Sequence, residues 1–375
     1  MSSVHLRKSV LTGARRVVVK LGTQLLSQDD GRIDRRYLRC MARQVVDLRS
    51  RRMQVTLVVS GAVGEGCKEL ALTQRPRDVA ELQAVAAVGQ PRLMVHMHEA
   101  FAAFGVTSAQ VLLTRGDFDD RIRFLNIRNC LRRLHRFGCV PIINENDAVA
   151  VEELEAMRLG ENDLLAAMIC NSLRADALIL LTVVEGLLDQ QGHCVELVED
   201  IGQAVTMVRQ ERSAAGKGGM VTKLEAARLV TGAGEMAVIA HGRRQNVLLR
   251  LFDGEPLGTL FVPSGRKMAS RSRWIGLTKR PTGTVTVDSG AAQALRGQGR
   301  SLLAIGITEV NGRFERGDLI LLRDARGQEI GRGLTNYEAG ELAQIMGKRS
   351  NQFASILGHP AFTEVVHRDN MVISR

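Results

Sequence analysis

Three short stretches of this 375-residue chain carry residue types that could handle a phosphate. They are Val17-Val18-Val19-Lys20-Leu21-Gly22-Thr23, Val59-Ser60-Gly61-Ala62, and Gly216-Lys217-Gly218-Gly219-Met220-Val221-Thr222-Lys223. In the first, an apolar run ends in a lysine and then a glycine. That pattern predicts a buried strand delivering a cation to its carboxyl end, with a turn beyond, and ligands of open α/β sheets sit outside those ends. An ammonium is a compact point charge, and a neighbouring glycine lets backbone N–H groups approach an anion. Lysine usage sharpens the reading: the chain has eight lysines, and Lys20, Lys217 and Lys223 all fall in these stretches. The alternative for Lys20 is a side chain that snorkels from a strand end to water.

Phosphoryl transfer needs charge neutralisation around the moving phosphate and an acceptor held in line. Lys20 and Lys223 are candidates to clamp the phosphates, and Gly216, Gly218 and Gly219 to fold a backbone nest around them. Asp163 either orients the lysines or simply occupies the first turn of a helix, where aspartate is favoured anyway. Asp147 and Asn162 are candidates to hold the amino group and a carboxylate of a small acceptor. Taken alone, Asn144-Glu145-Asn146-Asp147 also reads as a solvated turn. The chain has no Gly-x-x-x-x-Gly-Lys-Ser/Thr pattern, so it is not a P-loop protein. It shows no cysteine–histidine spacing for zinc.

The elements that must position these residues alternate. Strands are predicted at 15–21, 54–59, 106–113, 140–143, 177–184 and 236–240. Ser60-Gly61-Ala62 opens a helix whose free N–H groups suit a carboxylate or phosphate. Helices are predicted from Asp34 to Arg52, with Leu38, Met41, Val45 and Leu48 at helical spacing. Two more are expected around Asp78–Val88 and Pro91–Phe104. Others lead up to Arg136, run from Gly160 through Leu173 and span Met220–Thr231. Residues 148–160 read as a polar excursion, in the manner of a hairpin. Alternating strands and helices predict an α/β fold with a mostly parallel sheet sandwiched by helices. Short glycine-punctuated strands at 284–287, 302–309, 318–322 and 328–334 predict a small barrel-like β domain. The expected division is 1–262 for the first domain, 263–280 for a basic linker and 281–375 for the second.

Composition limits the partners. Residues 264–280 carry six basic and no acidic residues, whereas 281–375 carry 11 basic and 10 acidic, so most of the net charge of +11 sits outside the C-terminal domain. That counts against nucleic acid as its ligand, because phosphate contacts dominate such affinity. No apolar run approaches the about 18 residues that span a bilayer, and Met1 to Arg16 lacks a signal-peptide apolar region. A cytoplasmic protein without membrane contact is expected. The six cysteines form no CxxC pair and are expected as reduced, mostly buried thiols.

The order of motifs resembles the glutamate 5-kinase family of the amino-acid kinase superfamily. The residues that carry the likeness are Lys20-Leu21-Gly22-Thr23, Ser60-Gly61-Ala62, Ala87-Val88-Gly89-Gln90, Leu112-Leu113-Thr114-Arg115, Arg123-Phe124-Leu125-Asn126, Ile143-Asn144-Glu145-Asn146-Asp147, Asn162-Asp163 and Gly218-Gly219-Met220 with Lys223. The C-terminal segment resembles a PUA domain through Val287-Asp288-Ser289-Gly290-Ala291, Gly312-Arg313-Phe314 and Arg316-Gly317-Asp318.

The resemblance implies ATP-dependent phosphorylation of the γ-carboxylate of L-glutamate with Mg²⁺, the first step of proline synthesis. It implies proline as feedback inhibitor, glutamyl-phosphate reductase as a partner and a homo-oligomer. By position, Lys20, Thr182, Val183 and the run Lys217, Gly218, Gly219, Met220, Val221, Thr222, Lys223 match ATP sites. Ser60, Asp147 and Asn162 match glutamate sites, and Asp163 matches the carboxylate that organises the lysines.

Three positions and one segment depart from the family pattern: Val183 stands where an aspartate is usual, Lys217 where threonine is, and Glu161 where the family has the aspartate of a Gly-Asp-Asn-Asp run. Leu188-Asp189-Gln190-Gln191-Gly192 replaces a segment with tyrosine and Asp-Pro. Other readings are a sister kinase with another carboxylate acceptor, or an RNA-binding or regulatory protein with an inactive kinase half. The second is not favoured, on the charge balance given above.

Overall fold

The computed structural model of the chain describes residues 3–28, 32–150, 161–202, 204, 219–263, 267–359 and 361–374. It contains two compact units, Met1–Lys267 and Met268–Arg375.

The sheet of the first unit has eight strands: β1 (Arg16–Leu21), β2 (Gln54–Val58), β3 (Ser108–Leu113), β4 (Val140–Glu145), β5 (Ala177–Thr182), β6 (Leu197–Val198), β7 (Met236–His241) and β8 (Thr259–Phe261). Their order is β3-β4-β2-β1-β5-β7-β8-β6. Every neighbouring pair is parallel except β7 with β8. The central strands are buried on both faces, which is why Val17–Val19 and Ala177–Leu181 read as unbroken apolar runs. Early strands build outward from β1 on one side and later strands on the other. β1 is therefore the switch point of the sheet, and Lys20 lies at its carboxyl end between Val58 and Leu180.

Helices in this unit are α1 (Ser3–Leu11), α2 (Thr23–Leu26), α3 (Arg35–Ser50), α4 (Ala62–Glu69), α5 (Val79–Ala102), α6 (Arg121–Arg136), α7 (Glu161–Leu173), α8 (Gly219–Gly232) and α9 (Val247–Phe252). Several starts are written in the sequence. Asp34, Asp78 and Asp120 cap α3, α5 and α6, accepting N–H bonds from Tyr37, Glu81 and Arg123 at 3.0, 3.0 and 2.7 Å. Leu38, Met41, Val45 and Leu48 of α3 pack with Leu93, Met97 and Phe101 of α5 against Val17, Val19 and Leu21 of β1. Side chains alternate across a strand, so Val18 and Lys20 face the opposite layer, where α7 packs against β1, α6 and α8.

Three details differ from expectation. The two helices predicted around Pro91 are one helix, α5, with Pro91 inside it. Proline there gives up one backbone bond and leaves the helix running, because α4 packs along it. A Cβ on Gly66 would come within 1.8 Å of the Val85 carbonyl oxygen, and one on Gly89 within 1.9 Å of that of Ala62, so α4 and α5 cross backbone to backbone. Second, β4 runs on to include Asn144 and Glu145, both buried. Third, Cys170 is buried, but Cys40 and Cys130 are exposed on α3 and α6; none of the six cysteines forms a disulfide. The excursion expected at 148–160 falls from 151 onward outside the described residues.

The N-terminal helix is pinned by Arg7, which is fully buried. Its guanidinium donates to the carbonyls of Leu257 at 2.9 Å, Gly258 at 2.7 Å and Glu196. Among the described residues, no helix is long and apolar enough to cross a membrane.

The second unit holds a five-stranded sheet of β9 (Gly283–Val287), β10 (Ile307–Gly312), β11 (Leu319–Asp324), β12 (Glu329–Leu334) and β13 (Met371–Ile373), in the order β10-β9-β11-β12-β13. Val285, Val287, Ile320, Leu322, Ile330 and Phe353 are at its core. Residues 268–280, read from composition as part of a linker, carry structure of their own. A turn of helix at Ser270–Arg273 continues as a π-helical turn at Trp274–Thr278. Trp274 and Ile275 are buried, and Gly276 sits against Val372 of β13. Arg273 is buried as well, and its guanidinium donates to the Met268 carbonyl at 2.9 Å.

Candidate active site

Lys20, Asp163 and Lys223 come from β1, α7 and α8 and meet at the carboxyl end of the sheet. Lys20 Nζ lies 2.7 Å from Asp163 Oδ1, and Lys223 Nζ lies 3.1 Å from Asp163 Oδ2. Each lysine therefore takes its own carboxylate oxygen. Lys223 Nζ also donates to the Gly219 carbonyl at 3.1 Å, and the Thr222 hydroxyl is shared between Asp163 Oδ2 and that same carbonyl.

Asp163 has no solvent exposure, and the lysine side chains have 7% and 11%. Burial would push the Asp163 carboxyl up; Lys20 and Lys223 outweigh it and hold the group below its ordinary range, so it is ionised. Burial pulls the Lys20 ammonium down from its ordinary value, with Asp163 opposing and Lys223 adding to the effect. Two ammonium groups on one carboxylate leave a local excess of positive charge in a poorly solvated place. Such a centre favours an anionic ligand and can stabilise negative charge that develops during transfer.

A row of polar side chains runs beside it. Strand β2 ends at Val58; Ser60 follows, and Gly61, with φ of 120°, turns the chain into α4. That φ is open to glycine and strained for other residues. Asn162 Nδ2, at the start of α7, donates to Ser60 Oγ at 2.8 Å and to Asn144 Oδ1 at 3.3 Å. Asn144 Nδ2 in turn donates to Gln90 Oε1 of α5 at 2.7 Å. Asp147 lies half-buried in the turn that follows β4.

Thr182 ends β5 opposite His241, and its carbonyl accepts the Gly242 N–H at 2.8 Å. Val183, 39% exposed, faces an open cavity of about 650 Å³ with Gln24, Ser27, Gln28, Asp34 and Arg243 on its walls. Arg243 is fixed there by Asp34 at 3.0 Å and lies over the Tyr37 ring. Leu188–Gly192 folds as a tight turn in which the Asp189 carboxylate accepts the N–H groups of Gln191 and His193. Of the residues expected in a nucleotide loop, Met220 is half-buried and Val221 buried on α8. Lys217 and Gly218, with Gly216, lie outside the described residues.

The structure thus joins Lys20, Asp163, Thr222 and Lys223 in one centre, and Ser60 with Asn162 in another. Sequence reasoning had no role for Asn144 as a bridge or for Gln90. The available signal was a glutamine beside a glycine directly after the apolar run Ala84–Val88, a place where a polar side chain needs a partner.

Residues 15–241 match the sequence profile of the amino acid kinase family, and residues 283–357 match the PUA domain. The chain belongs to the amino acid kinase family. Among similar members are proteins named glutamate 5-kinase. That of Chromohalobacter salexigens is 43% identical over 372 residues, 98% of each chain. That of Methylococcus capsulatus is 42% identical over 374 residues, covering 98% of this chain and 99% of the relative. That of Chromobacterium violaceum is 43% identical over 371 residues, covering 97% and 99%. These matches run through both units, so this amino acid kinase and its relatives share the whole two-domain layout.

Proposed function

We propose that the protein transfers the γ-phosphoryl group of ATP to the γ-carboxylate of L-glutamate, giving γ-glutamyl phosphate and ADP, the first step of proline biosynthesis. The observation that carries this reading is the pair of buried lysines sharing Asp163 at the switch point of the sheet. The kinship with glutamate 5-kinases supports the acceptor.

A carboxylate is already a nucleophile, so the reaction needs no covalent enzyme intermediate. One acceptor oxygen bonds to the γ-phosphorus as its bond to the bridging oxygen breaks, and ADP leaves with that electron pair. Lys20 and Lys223 offset the charge on the moving phosphoryl group, and Asp163 holds both ammonium groups in place. Ser60, Asn162 and Asp147 hold the amino acid, and Thr182, Val183 and the loop from Lys217 to Lys223 hold the nucleotide.

Mg²⁺ enters with the ATP phosphates. Among the described residues, no group of three or more His, Cys, Asp or Glu side chains could hold a metal ion. Asp163 is already shared by two lysines. The described side chains do not fit a resident ion, and no step is assigned to one.

The same proposal includes proline as an end-product inhibitor, glutamyl-phosphate reductase as the next enzyme, a cytoplasmic location and a closed homo-oligomer. The PUA domain fits an RNA ligand, which the nearly neutral 281–375 segment does not favour.

Purified protein with MgATP is expected to release ADP with L-glutamate, and much less with L-aspartate or N-acetyl-L-glutamate. Hydroxylamine should trap the acyl phosphate as a hydroxamate. Equal or greater turnover with N-acetyl-L-glutamate would assign the protein another acceptor.

A further inference from the structure

We infer that Gln90 is a positioning residue that sets, through Asn144, which end of the Asn162 amide faces the substrate, and so selects acceptors with a free α-ammonium. The inference rests on the reading above that the acceptor is an amino acid.

A primary amide has one accepting end and one donating end, so a chain of amides transmits orientation. Gln90 presents Oε1 to Asn144, which must answer with its Nδ2. Asn144 then offers Oδ1 to Asn162, which must answer with Nδ2, and that same nitrogen reaches Ser60 Oγ. With its nitrogen occupied in this way, Asn162 has its carbonyl oxygen left over. Asn162 Oδ1 is buried and has no hydrogen-bond partner among the described residues. A buried, unpaired carbonyl beside the lysine centre calls for a donor. The donor best matched is an ammonium, which makes a charge-assisted bond. An N-acylated amino acid presents one amide N–H there, without the charge.

The source of the orientation is the packing around Gln90. Gln90 is 7% exposed and follows Gly89, where α5 lies against the backbone of α4. The crossing seats the Gln90 side chain beside Asn144. Asn144 belongs to a strand buried along its whole length and cannot swing away. The packing of two helices and a strand thus fixes where the three amides sit; Gln90 Nε2 is buried with no hydrogen-bond partner among the described residues, so Oε1 is the end of Gln90 committed to the relay.

The test is steady-state kinetics of the full-length wild type, Gln90→Met and Gln90→Glu, with L-glutamate and with N-acetyl-L-glutamate. Methionine keeps the volume and removes the acceptor. It is expected to raise the KM for glutamate about tenfold or more, the scale of one hydrogen bond to a charged group, with the change concentrated in KM rather than in kcat. The preference for glutamate over N-acetyl-L-glutamate should fall by a similar factor. Glutamate at this position, once ionised, still accepts from Asn144, so its KM should return toward the wild-type value as pH rises.

An unchanged preference in Gln90→Met would overturn the inference, as would a uniform loss on both acceptors with a lowered melting temperature and no recovery in Gln90→Glu. A wild type that is inactive with L-glutamate sinks the proposed function, and this inference with it. An active wild type with an indifferent Gln90 sinks this inference alone.

Discussion

Gly66 of α4 and Gly89 of α5 touch through their backbones: a Cβ on Gly89 would stand 2.3 Å from the Gly66 nitrogen. The neighbouring atoms are main chain on both sides, so the clash has no flexible side chain to absorb it. Gly89→Ala is expected to destabilise the protein by about 3 kcal/mol, at the upper end for forced overpacking. Thermal or urea unfolding would measure it. Activity should fall as well, because separating the helices moves Ser60 away from Asn162. A melting temperature within error of wild type would show that the crossing can relax.

Replacing either lysine removes charge stabilisation without removing the other partner of Asp163. Lys20→Met and Lys223→Met should each lower kcat by roughly 10²-fold or more, the scale for one preorganised donor. Both should remain folded by circular dichroism. Asp163→Asn should behave differently, since it leaves two buried ammonium groups facing each other. A stability loss of about 3 kcal/mol is expected there, together with the loss of activity. Near-normal turnover in either lysine variant would remove that lysine from the mechanism.

A pH effect is built into α6, away from the lysine centre. Burial, with Arg49 adding, lowers the His135 imidazole from 6.5 to about 4. Its Nε2 is hydrogen-bonded to the Thr56 hydroxyl at 2.9 Å. The unfolded chain binds this proton more readily than the folded one. The stabilisation is therefore fully present above pH 6.5 and is lost as pH falls toward 4. Its full size is roughly 3 kcal/mol. Urea midpoints measured across that interval should fall with pH, and His135→Gln should flatten the slope. Equal slopes in the two proteins would assign the acid sensitivity to other groups.

How much of this was legible in the sequence varies by element. Buried parallel strands announce themselves as apolar runs, so β1, β2, β4, β5 and β7 were readable. The edge pieces β6 and β8 are two and three residues long and carry no period. Pro91 misled because a proline breaks an isolated helix, whereas here the packing of α4 on α5 keeps α5 continuous. Asn144 and Glu145 look like turn residues by type, yet they extend a buried strand, because the carboxyl end of that strand is where the polar row sits. Lys20 stood out as a lysine at the end of an apolar run, with Gly22 two positions on. Gln90 did not, because its partner Asn144 lies 54 positions away and only the fold brings them together.

The buried arginine of α1 has a consequence for synthesis. Arg7 leaves the ribosome early, but its carbonyl acceptors follow 189, 250 and 251 residues later. At translation speeds of roughly 5–20 residues per second, that interval is about 10–50 s. During it the guanidinium has none of these acceptors to bind. The segment made first in the first unit is therefore among the last to be fixed, and its docking reports that the nascent unit has been completed.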